Sequence, residues 1–406
     1  GKTIGTGIAY LDKSGKIIIA VLLLKVFLIF TFSSGYNTEL FYPFLTSISF
    51  ENLNPWQLYY DRSFVDSFPD NESIIKIPLL LADLAILFFL VKIFPHKKQK
   101  LILFYFLNPI IIYSIYIHSQ LDIIPTALLF GSVYFLLLDK IKISSIFFGL
   151  ALSTKFHVII ALPLVLFYLY KKQKSIKVVE YIAISFFILL LLDLPFLFSE
   201  GFLNMVLLNP KQTLLFDTFY SIGTLKILLP IAAILMVYLH FFNQNKVNQD
   251  LLFFYFGLLF TATVFFIYPA PAWYVWMIPF LSIYFIQNQN QKKSILLYGA
   301  FSLAYLIFFI FFYKSEYKDI IFLGNNIDLK IDVEKLRNLF FTILEATLLT
   351  LLYAFYKYGI KSIYEIKRIY PCSTIIGIDA CLGDTNSIGE IHVRDFPIHP
   401  GKGVGK

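Results

Sequence analysis

A small group of polar residues separates two long apolar runs near the middle of the chain. The run 101–117 leads to His118-Ser119-Gln120-Leu121-Asp122, and a second apolar run, 123–138, follows. A carboxylate, an amide and an imidazole are therefore expected where one membrane-length helix ends and the next begins. Ionisable groups in or near hydrocarbon are costly, so the group as a whole favours a function. For any single residue, a loop at the water boundary explains the residue type equally well.

Further acids and cations occur in polar segments that the apolar runs would place on the same side of a membrane. They are Glu39, Asp61, Arg62 and Asp66 in the polar loop 33–73, and Lys155 and His157 later in the chain. A carboxylate can take the proton from an attacking hydroxyl, while a cation stabilises the charge of a leaving phosphate. This set therefore suits transfer of a group from a lipid phosphate. Acidic loops outside and basic loops inside also follow from the rules of membrane insertion alone.

The composition indicates a membrane protein with several spans. Of the 406 residues, 58% are hydrophobic and only 15% are charged, and the mean hydropathy is +0.73. Soluble domains are only about 45–50% apolar. The net charge of +8 is assigned to cytoplasmic loops, so no nucleic-acid partner is expected. The two cysteines, Cys372 and Cys381, imply no disulfide framework.

The distribution of lysines predicts the topology. Lysines before the first apolar run, 17–32, place the N-terminus in the cytoplasm, and the long loop 33–73 then lies outside. The short segment 143–154 cannot cross a core of about 30 Å alone, so it predicts a hairpin that dips outward, with Lys155 near its tip. We expect an all-α, polytopic integral membrane protein with about 10–12 transmembrane helices and a long first extracytoplasmic loop.

Four segments are predicted along the chain. Residues 1–16 form a cytoplasmic N-terminal segment, 17–356 the transmembrane domain, and 357–370 a basic cytoplasmic segment. Residues 371–406 have Gly, Asp and Thr in place of Phe and Ile, and they are either a disordered tail or a truncated soluble segment. We assign that tail no function.

Seven short motifs follow one another along the apolar part of the chain. They are residues 35–41 (Gly-Tyr-Asn-Thr-Glu-Leu-Phe), Asn54-Pro55-Trp56, 78–84 (Pro-Leu-Leu-Leu-Ala-Asp-Leu), Leu107-Asn108-Pro109, His118–Asp122, Thr154-Lys155-Phe156 and 273–279 (Trp-Tyr-Val-Trp-Met-Ile-Pro). In this order they resemble the GT-C superfamily of polyprenyl-phosphate-sugar-dependent glycosyltransferases, and within it mannosyltransferase-like proteins related to the GPI mannosyltransferase family. The resemblance covers roughly residues 17–356.

The resemblance implies a function and its partners. A hexose, mannose by this likeness, would pass from a polyprenyl-phosphate donor to an extracytoplasmic glycan or lipid-linked acceptor, with inversion at the sugar. The protein would lie in a bacterial inner membrane, surrounded by membrane lipids, with its active site on the extracytoplasmic side. No cofactor is expected. No cluster of His and acids at metal-ligand spacing is present in the sequence, so no tightly bound metal is expected either.

The resemblance also implies roles for individual residues. Glu39 takes the position of the catalytic base, although the family more often has Asp there and Asn37 replaces the first acid of an Asp-x-Asp pair. Asp61 and Asp66 therefore remain alternative bases. The expected substrate-binding residues are Arg62, His118, Gln120, Asp122, Lys155 and His157. Lys155, assisted by Arg62 or His118, would hold the leaving phosphate, and a lysine that snorkels at a helix end is the competing interpretation.

A transporter or lipid-linked-saccharide flippase is the alternative function. Its polar residues would line a path, and the short segment 143–154 is the kind of broken helix that transporters use. Transporters also often contain inverted repeats, and the two halves of this chain show no convincing match. The long first loop suits a lid over an active site, so the enzyme is preferred.

Overall fold

The structure is a computed structural model that describes residues 13–44, 54–62, 76–172, 174–244, 247–268, 270–288, 291–315 and 317–357. Most of these residues are helical, and the chain is an all-α polytopic membrane protein. Within the described ranges, six helices are long and apolar enough to cross a membrane. The expected boundaries at 16, 356 and 370 remain predictions, and the segments 1–12 and 358–406 lie outside the described residues.

Within the described residues twelve helices build the bundle, and we label them in chain order. They are α1 (Lys13–Thr31), α2 (Lys76–Ile93), α3 (Lys98–Ile117), α4 (Ile123–Leu137), α5 (Ile141–Thr154), α6 (Phe156–Lys171), α7 (Ser175–Asp193), α8 (Leu229–Phe242), α9 (Gln249–Phe266), α10 (Ile278–Gln287), α11 (Gln291–Ile307) and α12 (Glu334–Ala354). Shorter helical pieces are Tyr36–Phe41, Pro55–Arg62, Glu200–Phe202, Leu203–Leu207, Pro210–Phe216, Pro271–Trp276 and Phe308–Phe312.

The described connecting segments contain five short strands. They are β1 (Phe32–Ser33), β2 (Phe219–Ile222), β3 (Leu225–Leu228), β4 (Ile321–Phe322) and β5 (Asn325–Asn326). Strands β2 and β3 form a hairpin, while β1 pairs antiparallel with β4, with Phe32 opposite Phe322. The second pairing joins the end of α1 to the segment between α11 and α12.

Side-chain contacts define two opposite ends of the bundle. At the first, which we call the His118 end, the contacts are Lys155 with Asp122, Trp276 with Asp122, His118 with Asp319 and Ser34 with the His118 carbonyl. At the second, the Lys174 end, they are Lys174 with Asp139, Lys171 with the Gln244 carbonyl, Lys100 with the Ile286 carbonyl and Gln287 with Asp250. Helices α5 and α6 therefore form the expected hairpin, and Lys155 is at its tip beside Asp122.

Small residues let α4, α5 and α7 pack closely. A Cβ placed on Gly149 of α5 would lie 2.5 Å from the Ser185 carbonyl oxygen of α7. The hydroxyl of Ser132 on α4 lies 2.8 Å from that of Tyr181 on α7, and Ser144 of α5 donates to the Ser132 carbonyl at 2.7 Å. Small and hydroxylated side chains are the usual means of helix association in lipid, because the helix backbones can approach and their polar groups can pair.

An ion pair lies inside the bundle between α1 and α2. The Lys25 ammonium is 2.5 Å from Asp83 Oδ2, and both side chains are fully buried. Two α3 hydroxyls also donate to this carboxylate, from Tyr105 at 2.9 Å and from Tyr116 at 2.5 Å. Lys25 also lies 3.8 Å from the centre of the Phe106 ring. Every charged atom is thus matched, and the network holds together the three helices that lead to the His118 end.

Candidate active site

The turn that begins at His118 is built into the protein interior. His118 is fully buried, and its Nε2 lies 2.8 Å from Asp319 Oδ1. The Gln120 amide donates to its Nδ1 at 3.2 Å, which leaves the imidazole proton on Nε2, directed at Asp319. Ser119 has a φ of 60°, in the left-handed region where glycine is favoured. The His118 ring therefore makes its polar contacts within the protein.

Asp319 brings the segment between α11 and α12 onto this turn. Its second oxygen lies 2.6 Å from the Lys330 ammonium, which also donates to the Phe309 carbonyl at 2.7 Å. Burial by itself would raise the pKa of the Asp319 carboxyl, but the hydrogen bond from His118 and the nearby Lys330 ammonium lower it below its usual value. The carboxylate therefore remains ionised near neutral pH and holds the segment in place.

Glu39 lies on the same structural unit but is exposed. It belongs to the helical turn Tyr36–Phe41 that follows β1. This turn is fixed because Ser34 Oγ donates to the His118 carbonyl at 2.6 Å and the Gly35 amide donates to the Lys318 carbonyl at 2.7 Å. A Cβ on Gly35 would lie 2.9 Å from the Lys318 amide nitrogen and 3.2 Å from Glu39 Oε1. The Glu39 carboxylate therefore lies beside the Lys318 backbone, and only glycine fits at position 35.

Asp122 is at the other side of the turn, where two groups converge on one oxygen. Its Oδ1 accepts hydrogen bonds from the Lys155 ammonium and, at 2.8 Å, from Trp276 Nε1. The Asp122 side chain is 4% exposed and that of Lys155 is 36% exposed. A lysine ammonium carries three donors, so Lys155 keeps donors that a ligand can use.

A cluster of four rings lies beside this ion pair. The rings of His157 and Trp276 stack with centroids 3.7 Å apart and an angle of 17° between their planes. Trp273 stacks on Trp276 at 5.7 Å and 25°, while Phe260 meets Trp276 edge to face. Lys155 Nζ lies 5.3 Å from the centre of the Trp276 ring. His157 Nδ1 is buried and finds no hydrogen-bond partner among the described residues.

The other predicted site residues lie on the helix Pro55–Arg62 or after it. Asp61 is exposed and accepts a hydrogen bond from Gln57 Nε2 at 2.9 Å. Gln57 in turn accepts from the Gly201 amide at 3.0 Å, which ties this helix to the segment after α7. The side chain of Arg62 and the whole of Asp66 lie outside the described residues. In the described part of the chain, no group of three or more His, Cys, Asp or Glu side chains could hold a metal ion.

Trp276, Lys318 and Asp319 belong to this site, although the sequence did not select them. Trp276 lies in the quoted motif 273–279, so its position gave a signal, but the motif assigned it no role. Asp319 is 201 positions from His118 in the chain, and nothing in the local sequence marks the pairing. The structure thus collects Glu39, His118, Asp122 and Lys155 around one turn, with no hydrogen bond or ion pair between Glu39 and Asp122 among the described residues.

Two parts of the chain match known family models. Residues 77–207 match the family model described as ALG3 protein, a family of dolichyl-phosphate-mannose-dependent mannosyltransferases. The matched part contains His118, Gln120, Asp122, Lys155 and His157. Residues 350–406 match a family described as protein of unknown function, DUF1256. No curated protein and no solved structure matches the chain. The first match indicates a membrane mannosyltransferase that uses a lipid-linked donor.

Proposed function

We propose that this protein transfers mannose from a polyprenyl-phosphate donor to the hydroxyl of a glycan or lipid-linked acceptor, with inversion, on the extracytoplasmic side of a membrane. The observation that carries the proposal is the match of residues 77–207 to ALG3 protein, because the matched residues supply the turn around which the candidate site is built. The GT-C resemblance of the ordered motifs supports the same reaction. In this orientation the His118 end faces outward, which agrees with the lysines of the short loops at the Lys174 end.

The chemistry assigns one group to each side of the reacting sugar. Glu39, which is exposed at the start of the first loop, accepts the proton of the acceptor hydroxyl as its oxygen bonds to the anomeric carbon. The bond from that carbon to the phosphate oxygen breaks, and its electron pair leaves with the phosphate. Lys155 offsets the charge on that phosphate with the donors that Asp122 leaves available. Attack opposite the leaving group inverts the configuration.

The His118 network positions these two groups and makes no direct contact with substrate in this proposal. His118 is fully buried and uses both ring nitrogens within the protein. Its backbone carbonyl holds the Ser34 hydroxyl, which fixes the segment before Glu39. Four residues later, Asp122 holds Lys155. One turn thereby sets the positions of the candidate base and the candidate phosphate ligand.

Glu39→Gln tests the proposal. A general base contributes about 10²–10⁴-fold to the rate, so the purified variant should lose transfer of mannose from a polyprenyl-phosphate donor on that scale while still binding donor. Asp61→Asn is the matched control, because Asp61 is an exposed acid of the same loop that already pairs with Gln57. Near-normal transfer by Glu39→Gln, with loss in Asp61→Asn or Asp66→Asn, would move the base later in the loop. If none of the three matters, the mechanism is wrong.

A transporter or flippase is the second candidate, because helix α5 (Ile141–Thr154) is too short to cross a membrane alone and resembles the broken helices of transporters. Transfer and transport can be separated in proteoliposomes that contain the purified chain and a labelled mannosyl lipid. The enzyme requires label to appear on an added acceptor. A flippase would move the lipid between leaflets without any new glycosidic bond.

A further inference from the structure

Trp276 is held rigidly at the His118 end. Its indole N–H donates to Asp122 at 2.8 Å, and its ring stacks on His157. Phe260 meets its edge, and Phe260 in turn stacks on Phe280 at 6.1 Å in the aromatic interior. Trp276 is 5% exposed. These contacts fix the position of the Trp276 ring. Because the ring is almost fully buried, it can support a neighbouring binding surface but offers a ligand little contact area itself.

Trp273 differs, because it adds an accessible ring to this fixed base. It lies one helical turn before Trp276 in the piece Pro271–Trp276, stacks on it at 5.7 Å, and is only partly buried. Its indole N–H makes no hydrogen bond to any described residue. Part of the Trp273 ring is therefore accessible, and the ring lies against Trp276, whose own ring centre is 5.3 Å from Lys155 Nζ.

We propose that Trp273 is the platform of a hexose subsite, in which the sugar of the lipid-linked donor lies on the indole ring. This inference rests on the proposed transferase function and names the recognition surface for its sugar. A hexose has one face of C–H groups, which suits an aromatic ring, and a rim of hydroxyls that need donors and acceptors. The Lys155 ammonium supplies a donor at that rim.

His157 provides a second sign of a ligand at this place. Its Nδ1 is buried and has no hydrogen-bond partner among the described residues, which is costly unless a partner arrives. The same ring stacks on Trp276 at 3.7 Å, so it belongs to the cluster that carries Trp273. A sugar hydroxyl could donate to this nitrogen only after a shift of the His157 ring on ligand binding, and this bond would then favour the mannosylated lipid over the bare polyprenyl phosphate.

The competing role for Trp273 is that of an aromatic anchor at the membrane boundary, where tryptophans are common. The two roles differ in what they recognise. An anchor stabilises the protein in the bilayer and treats every lipid alike, whereas a hexose platform acts only on a lipid that carries a sugar. Tyr268 offers a matched control, because it is 62% exposed and belongs to the same connection between α9 and α10.

The test measures binding of two probes, polyprenyl-phosphate mannose and polyprenyl phosphate, to the full chain purified in detergent. Trp273→Ala should weaken binding of the mannosylated lipid about five- to tenfold and leave binding of the bare lipid unchanged. Trp273→Phe should retain most of the affinity, because it keeps a ring. Tyr268→Ala should affect neither probe. Thermal unfolding of each variant checks that it is folded, and Trp273→Phe keeps the test valid if the alanine variant is not.

Several outcomes would overturn the inference. Equal weakening of both probes in Trp273→Ala would make Trp273 an anchor, and no weakening of either would exclude it from the site. A wild-type protein that binds both lipids equally well has no hexose subsite. A wild-type protein that binds neither lipid contradicts the proposed function itself, which distinguishes that failure from a failure of the subsite alone.

Discussion

Two lysine–aspartate pairs in the same bundle have different surroundings. In the Lys25–Asp83 pair both side chains are fully buried, and hydroxyls of Tyr105 and Tyr116 occupy the carboxylate as well. In the Lys155–Asp122 pair the aspartate is 4% exposed and the lysine 36% exposed. The first pair is closed to any ligand. The second is closed only on the carboxylate side, and its ammonium remains accessible.

This difference suits the first pair to a structural role and the second pair to the binding role proposed for Lys155. A buried charge that loses its partner has no solvent to replace it, so a closed pair contributes to folding and resists change. A pair with one accessible member can share that member with an incoming anion at little cost, because water already reaches it. Residue types alone cannot distinguish the pairs, since each is one Lys and one Asp near the ends or interiors of apolar helices.

The largest effect is expected from Lys25→Met. It leaves the Asp83 carboxylate buried without a cation, and breaking a buried pair in this way costs about 3–5 kcal/mol of unfolding free energy. Thermal or denaturant unfolding in detergent measures the loss. The double variant Lys25→Met, Asp83→Asn removes both charges and should recover more than half of it. A single variant as stable as the wild type would contradict the structural role of this pair.

Lys155→Gln should act mainly on transfer and less on stability. Loss of one charged donor to a developing anion reduces turnover by about 10²–10³-fold, whereas the unfolding free energy should fall less than in Lys25→Met because Lys155 is partly exposed. Lys142→Gln is the control, since Lys142 is 75% exposed and meets Glu180 only at 3.9 Å. Unchanged turnover in Lys155→Gln would remove Lys155 from the site and favour the snorkelling interpretation.

Tyr116→Phe tests how much the tyrosine hydroxyls stabilise the Lys25–Asp83 pair. A hydrogen bond to a charged group contributes about 1.5–3 kcal/mol, so the unfolding free energy should fall by roughly that amount, with Tyr105→Phe similar. Tyr353→Phe on α12 serves as the control, because Tyr353 is 58% exposed. If Tyr116→Phe loses no more stability than Tyr353→Phe, the carboxylate does not depend on the tyrosines.

The smallest effect concerns pH and the segment between α11 and α12. The pKa of Asp319 is lower in the folded protein than the ordinary 3.8, so its pairing contributes fully above pH 3.8 and is lost as the pH falls through the lower folded value. Protease cleavage of residues 317–333 should therefore increase at acid pH, and Asp319→Asn should show the raised cleavage already at pH 7. Asp332→Asn is the control, because Asp332 pairs at an exposed site. Cleavage of Asp319→Asn at the wild-type rate at pH 7 would contradict this role.

The sequence alone determined the class of the protein and the order of its polar residues. Apolar runs of membrane length are a property of local composition, so the all-α, polytopic fold and the hairpin with Lys155 at its tip were predictable. The ordered motifs also marked Glu39, Asp122 and Lys155 by their positions in the chain. The roles proposed for these three residues remain predictions.

Only the tertiary structure decided which polar groups meet. His118 pairs with Asp319 across 201 positions, and Asp122 with Trp276 across 154. Helices that are apolar on all sides carry no periodicity to show which face meets which neighbour, so these partners depend on helix rotation and register. Because this periodicity is missing, the sequence also did not show that His118 is buried. The family resemblance had placed His118 among the substrate-binding residues. The closed Lys25–Asp83 pair could not be predicted either, because the sequence around a charged residue in an apolar run does not show which residue it pairs with.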